Sequence, residues 1–173
     1  MNLREALQST KILLIALILF IIFRIAFNFV AEGLGDGILT LQLTFSGEEF
    51  RRLAEAWEEQ DLLAIYFNHF YLDFLYPIIY GTFIASLLAK AMTLKNISQR
   101  ANFLITLPFV AALLDMTENS LHIYMLTDFS RISDSMVWVS GAITHTKWVL
   151  AMGAFALALV MFLIPKRKKG LGD

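Results

Sequence analysis

The chain reads as an all-α membrane protein, a four-transmembrane-helix up-down-up-down bundle with a short strand and an amphipathic helix in one outer loop. Three observations predict this. Four stretches, about 12–30, 62–89, 102–126 and 135–164, supply the roughly 20 largely apolar helical residues that a bilayer crossing needs. The apolar share is 58% and the charged share 17%, against roughly 45–50% and about 25% in soluble domains. The loops between the stretches are short apart from 32–61, which makes successive helices antiparallel neighbours in a single membrane domain over 1–173.

The first stretch follows a basic start (Arg4, Lys11), as a secretory signal would. Its exit, Phe29-Val30-Ala31, lacks the small residues of a cleavage site, and Arg24 interrupts the apolar run, so a retained span is expected. Orientation follows from lysine and arginine in the short loops. With the N-terminus inside, Arg4, Lys11, Lys90, Lys95, Arg100 and the basic run 166–169 fall on the cytoplasmic face, and only Arg51, Arg52 and Arg131 fall outside. The expected location is the cell membrane with both termini cytoplasmic. The 166–169 run reads as a stop-transfer anchor at an anionic lipid surface. A net charge of −1 gives no reason to expect a nucleic-acid partner. The absence of cysteine excludes disulfides, thiolate metal sites and thiol catalysis.

In the outer loop, Gly33, Gly35 and Gly37 break the helix. Leu39, Leu41, Leu43 and Phe45 then alternate with polar residues at the period of a strand. Ser46 and Glu49 follow with the spacing of a capping box. Phe50, Leu53, Ala54 and Trp57 share one face of the helix begun there, which predicts a segment in the headgroup plane anchored by Trp57. This loop could also dock a partner membrane protein.

The spans are set apart by the charge inside them. Ionisable groups in a span cost a few kcal/mol each and mark a functional site by default. In the third span Asp115, Glu118, Asn119 and His122 form one helical stripe; in the second, His69, Asp73, Tyr76 and Tyr80 do the same. The fourth offers Ser140, Thr144 and Lys147, with His145 turned away, and the first offers Arg24 and Asn28. At about 1.5 Å rise per residue, Arg24, Asp73, Asp115 and Lys147 reach one level between the midplane and the outer leaflet. Pro77 should free a backbone carbonyl and kink the second span toward that level, and Pro108 should kink the third.

Two cations facing three carboxylates predict a binding site made of Asp73, Asp115, Glu118, Asn119, Lys147, Arg24, His122 and His69. The ligand would be a lipidic or amphiphilic molecule, a cation or a proton. A di-iron bundle uses Glu-x-x-His, whereas Glu118 and His122 are four apart beside Lys147 and Arg24, so neither a metal nor another cofactor is expected. Two alternatives stand beside this reading. One is a scaffold or complex subunit whose ion pairs fix helix register; the other is an intramembrane lipid-modifying enzyme using a carboxylate as acid and base.

The set Asp73-x-x-x-Pro77-x-x-Tyr80, Asp115-x-x-Glu118-Asn119 and Thr144-x-x-Lys147 resembles a group of small prokaryotic four-span membrane proteins. The likeness runs over most of the chain, outer loop included. It implies the architecture and lends no chemistry.

Overall fold

A computed structural model describes residues 2–165. The basic run 166–169, read above as an anchor, lies outside the described residues. Those described form an all-helical protein in which four helices are long and apolar enough to cross a membrane. A short N-terminal helix α1 (Leu3–Leu7) leads into α2 (Thr10–Val30). The segments α3 (Gly37–Leu43), α4 (Gly47–Glu59) and α5 (Leu63–Asp73) follow. Then come α6 (Tyr76–Leu94), a 3₁₀ stretch (Gln99–Thr106), α7 (Leu107–Leu126), a second 3₁₀ turn (Phe129–Arg131) and α8 (Asp134–Leu163).

Helix α6 is the centre of the molecule, packed against α2, α7 and α8; α2 lies mainly against α6, and α8 against α7 and α6. Small residues permit the close approach. A Cβ on Gly81 would stand 3.2 Å from the Pro108 carbonyl oxygen and 3.4 Å from Ala112 Cβ, the backbone-to-backbone contact that small residues give membrane helices. One apolar cluster, including Leu88, Ala89, Met92, Ile105 and Ala158, fills the part of the bundle near α1 and the 3₁₀ stretch. A second, including Leu41, Phe50, Trp57, Tyr66 and Met125, lies under α3, α4 and α5. On α7 and α8 the polar stripes fall between the residues given to these two clusters, so the charged layer separates two apolar cores.

The two ends of the bundle are tied differently. At one end Arg4 is buried, its Nε donating to Thr93 Oγ1 (3.1 Å) and its Nη1 to the Ile97 carbonyl (2.8 Å). Lys90 Nζ donates to Thr10 Oγ1 (2.8 Å) there, and Lys95 Nζ to the Ile164 carbonyl. At the other end Gly47 N donates to Asp134 Oδ1 (3.0 Å) and Arg51 Nη2 to the Ile132 carbonyl (3.0 Å).

Several expectations are corrected. The segment 39–45 is not a strand: Gly37–Leu43 is helical, and no strand occurs among the described residues. The reason is its partner. An isolated strand would leave its backbone unpaired beside the bundle, whereas a helix satisfies it internally. Leu41 and Gln42 are the residues α3 buries.

Trp57 is not an interfacial anchor, because it is buried with its ring 4.8 Å from that of Tyr66. The capping box at Ser46 is half made: Ser46 Oγ accepts from Glu49 N (3.2 Å), while the Glu49 carboxylate accepts from Thr44 Oγ1 (2.6 Å) instead of reaching back to the cap.

The stretch 62–89 is not one helix. It breaks at Phe74 and Leu75, so the membrane-length helix starts at Tyr76 and α5 is a separate, shorter helix. Pro77 and Pro108 each sit in the first turn of an α-helix, where their own missing N–H costs nothing.

Candidate functional site

Pro77 explains the first feature of the site. In a continuous helix the residue 77 N–H would donate to the Asp73 carbonyl, and proline has no such donor. Asn119 supplies it from α7, its Nδ2 donating to the Asp73 carbonyl oxygen at 3.0 Å. The end of α5 is thereby pinned to α7 at the level of Asp115 and Glu118.

Lys147 of α8 is the hub. Its Nζ lies 2.5 Å from Asp115 Oδ1 and 2.5 Å from Glu118 Oε2, and all three side chains are buried. An α7–α8 ion triad with one cation and two carboxylates results. Tyr80 of α6 joins it, donating from Oη to Asp115 Oδ2 at 3.0 Å. Glu118 is fully enclosed; its Oε1 has no hydrogen-bond partner among the described residues, and neither has Asn119 Oδ1.

A second polar chain lies toward α4 and α5. His122 has both ring nitrogens engaged, Nδ1 with Tyr66 Oη at 2.8 Å and Nε2 with Ser140 Oγ at 2.8 Å. Phe50 of α4 covers it, ring to ring at 5.3 Å. His69 Nδ1 donates to the Tyr66 carbonyl, and its Nε2 faces Asp73 Oδ2 at 3.6 Å. A carbonyl can only accept, so Nδ1 carries the hydrogen, and in the neutral ring Nε2 presents a lone pair.

Of the eight residues singled out from sequence, Asp115, Glu118 and Lys147 meet in one triad. Asn119 and Asp73 meet through the α5 carbonyl, and His69 sits beside Asp73. His122 belongs to the neighbouring Tyr66–Ser140 chain. Arg24 departs from the expected counter-ion role: it forms no ion pair among the described residues, and its Nη1 donates to Asn28 Oδ1 at 3.3 Å. Its helix α2 packs chiefly on α6 and α5. His145 turns away as its helical phase requires, bonding the Gly141 carbonyl (2.7 Å) and stacking on Phe45.

What Arg24 does reach is a cavity of about 500 Å³ between α2 and α8, floored by α6. One part is polar, with Arg24, Gln42, Asp73, Asp115 and Lys147 in its wall. The remainder is apolar and aromatic, from Phe20, Tyr76, Tyr80, Phe83 and Ile84 to Trp148, Ala151, Met152 and Phe155. Trp148 and Met152 are exposed on the helix flank, so the cavity is open along α8. Gln42 was missed by the strand reading. Ile38, Leu41, Gln42 and Phe45 also fit one helical face, and that was the available signal.

Among the described residues no group of three or more His, Asp or Glu side chains is placed to hold a metal ion. Four helices long and apolar enough to cross a membrane suggest a multi-pass membrane protein, with ionisable side chains buried between its helices. The chain matches no protein-family model, no curated protein and no solved structure.

Proposed function

We propose that this protein crosses the cell membrane four times in up-down-up-down order, both termini cytoplasmic, and binds an amphiphilic lipid-like molecule in the cavity between α2 and α8. The observation that carries the reading is the cavity's division into a charged end and an apolar remainder within about 500 Å³. That volume lies in the range of small-molecule sites, which are mostly apolar with a few placed polar groups. A head group would contact Asp73, Arg24, Gln42 and the Lys147–Asp115 pair. An acyl or alkyl tail would lie along Phe83, Ala151 and Phe155, entering past Trp148 and Met152 from the bilayer.

Filling the tail region tests this. Ala151→Trp places an indole in the apolar part, one helical turn beyond Lys147. Native mass spectrometry of the purified protein in neutral detergent should show single-chain lipid retained by the wild type. Occupancy in the variant should be lower by at least about tenfold, equivalent to about 1.4 kcal/mol. Undiminished retention would sink the proposal.

A second reading has its own support. The Lys147–Asp115–Glu118 triad joins α7 to α8 without touching α2 and could serve only to fix their register, as buried ion groups do in some proteins. The two readings coexist, because the triad forms one wall of the cavity while Asp73 and Arg24 stand outside it.

A further inference from the structure

We infer that the head group taken by this cavity carries both a primary ammonium and a phosphate, the chemistry of ethanolamine phospholipids and their single-chain forms. The inference rests on the amphiphile reading above and adds the head-group chemistry.

The argument runs through the charges in the cavity wall. Lys147 is engaged by two carboxylates at 2.5 Å each, so it has little left to offer a ligand. Asp115 is engaged in turn by Lys147 and Tyr80. Asp73 and Arg24 differ. Asp73 has no lysine or arginine within ion-pair distance among the described residues; its neighbour is His69 Nε2 at 3.6 Å. Asp73 stands in the cavity wall, where its carboxylate can accept from the three N–H donors of a primary ammonium.

Arg24 is the complementary case. Of its five N–H donors, the hydrogen bond described engages one, with Asn28. An unpaired guanidinium at the edge of an apolar cavity is suited to a phosphate, which it can bind through two parallel hydrogen bonds. The rings of Phe20, Phe23 and Phe27 on the Arg24 helix pack on Tyr76, three residues after Asp73. The free cation and the under-neutralised anion therefore belong to one end of one cavity. A head group with one charge would leave the other unpaired in a poorly solvated place, which is costly.

The test is a binding series by native mass spectrometry in neutral detergent, with probes of matched chain length. These are lysophosphatidylethanolamine, lysophosphatidylcholine, lysophosphatidic acid, a long-chain primary amine and a monoacylglycerol. Free phosphoethanolamine serves as competitor. Wild type should prefer lysophosphatidylethanolamine by about tenfold or more, about 1.4 kcal/mol, with the choline form weaker because it has no N–H. Asp73→Asn should erase the preference over lysophosphatidic acid, and Arg24→Gln the preference over the amine. Thermal unfolding of both variants should match wild type, since neither residue belongs to the triad.

If every probe binds wild type equally and neither variant changes the order, the cavity holds amphiphiles and the head-group inference is overturned. A preference for the amine alone or the phosphate alone overturns it too. If no probe binds, the amphiphile reading itself fails, and this inference with it. Efficient competition by free phosphoethanolamine would point to a soluble ligand and reject the lipid source.

Discussion

At the scale of single residues, Lys147 and Asn119 each hold two helices together in a different way. Lys147 makes two buried carboxylates tolerable, and removing one partner of such a set is expensive because the other charges stay behind. Lys147→Met keeps the side-chain bulk and removes the charge. It should lower unfolding stability in detergent by about 3–5 kcal/mol, read from the midpoint of thermal or denaturant unfolding.

Asn119 answers a vacancy written by Pro77. Asn119→Leu alone should cost about 1–3 kcal/mol by stranding the Asp73 carbonyl. Pro77→Ala restores a backbone donor four residues on, so the double variant should be less destabilised than the sum of the two single changes. Strict additivity would show that the Asn119 bond is not a substitute for the missing helix bond.

At the scale of elements, the decisive feature is that the segment between α2 and α6 folds onto the bundle. α3 brings Gln42 to the cavity, and its end is seated on α8 at Gly141. A Cβ there would stand 2.7 Å from the Thr44 carbonyl oxygen and 3.1 Å from the Phe45 ring. Backbone cannot yield as a flexible side chain can, so Gly141→Ala should displace the end of α3, at an overpacking cost of about 1–3 kcal/mol. Hydrogen exchange should report the change as faster exchange confined to 37–46, with α6 and α7 unaffected. Unchanged protection would show that the contact is slack. α4 completes the cap by covering His122 with Phe50 and Tyr66 with Trp57, so the polar chain beneath it is shielded by protein, not by lipid.

At the scale of the whole molecule, the proposed topology has a direct check because the chain has no native cysteine. Single cysteines at Ser98 and Ser130 stand on opposite sides in the orientation set by the basic loops. In intact cells a membrane-impermeant maleimide should label Ser130→Cys and spare Ser98→Cys until the membrane is permeabilised. The reverse pattern would invert the topology, and equal labelling would refute the alternating order of spans.

Much of this molecule was legible in the chain itself, because bilayer thickness acts on local composition. The four apolar stretches, the polar stripe Asp115–Glu118–Asn119–His122 and the helical face Phe50–Ala54–Trp57 need only hydropathy and a period of 3.6 residues to be seen. Even the freed carbonyl follows from Pro77 alone. Partner choice was not legible. A stripe shows that a side chain points inward and not what it meets, so Arg24 and Lys147 looked equivalent from the sequence. Tertiary packing made one a triad hub and left the other bonded to Asn28 at the cavity edge. The same limit hid the helix at 37–43, whose alternating leucines satisfy a strand as well as a helix until the bundle beneath removes any partner strand. Local chemistry thus determined that charge enters the membrane. Only the packing of α8 on α7, and of α2 on α6, decided which charges pair with one another and which line the cavity.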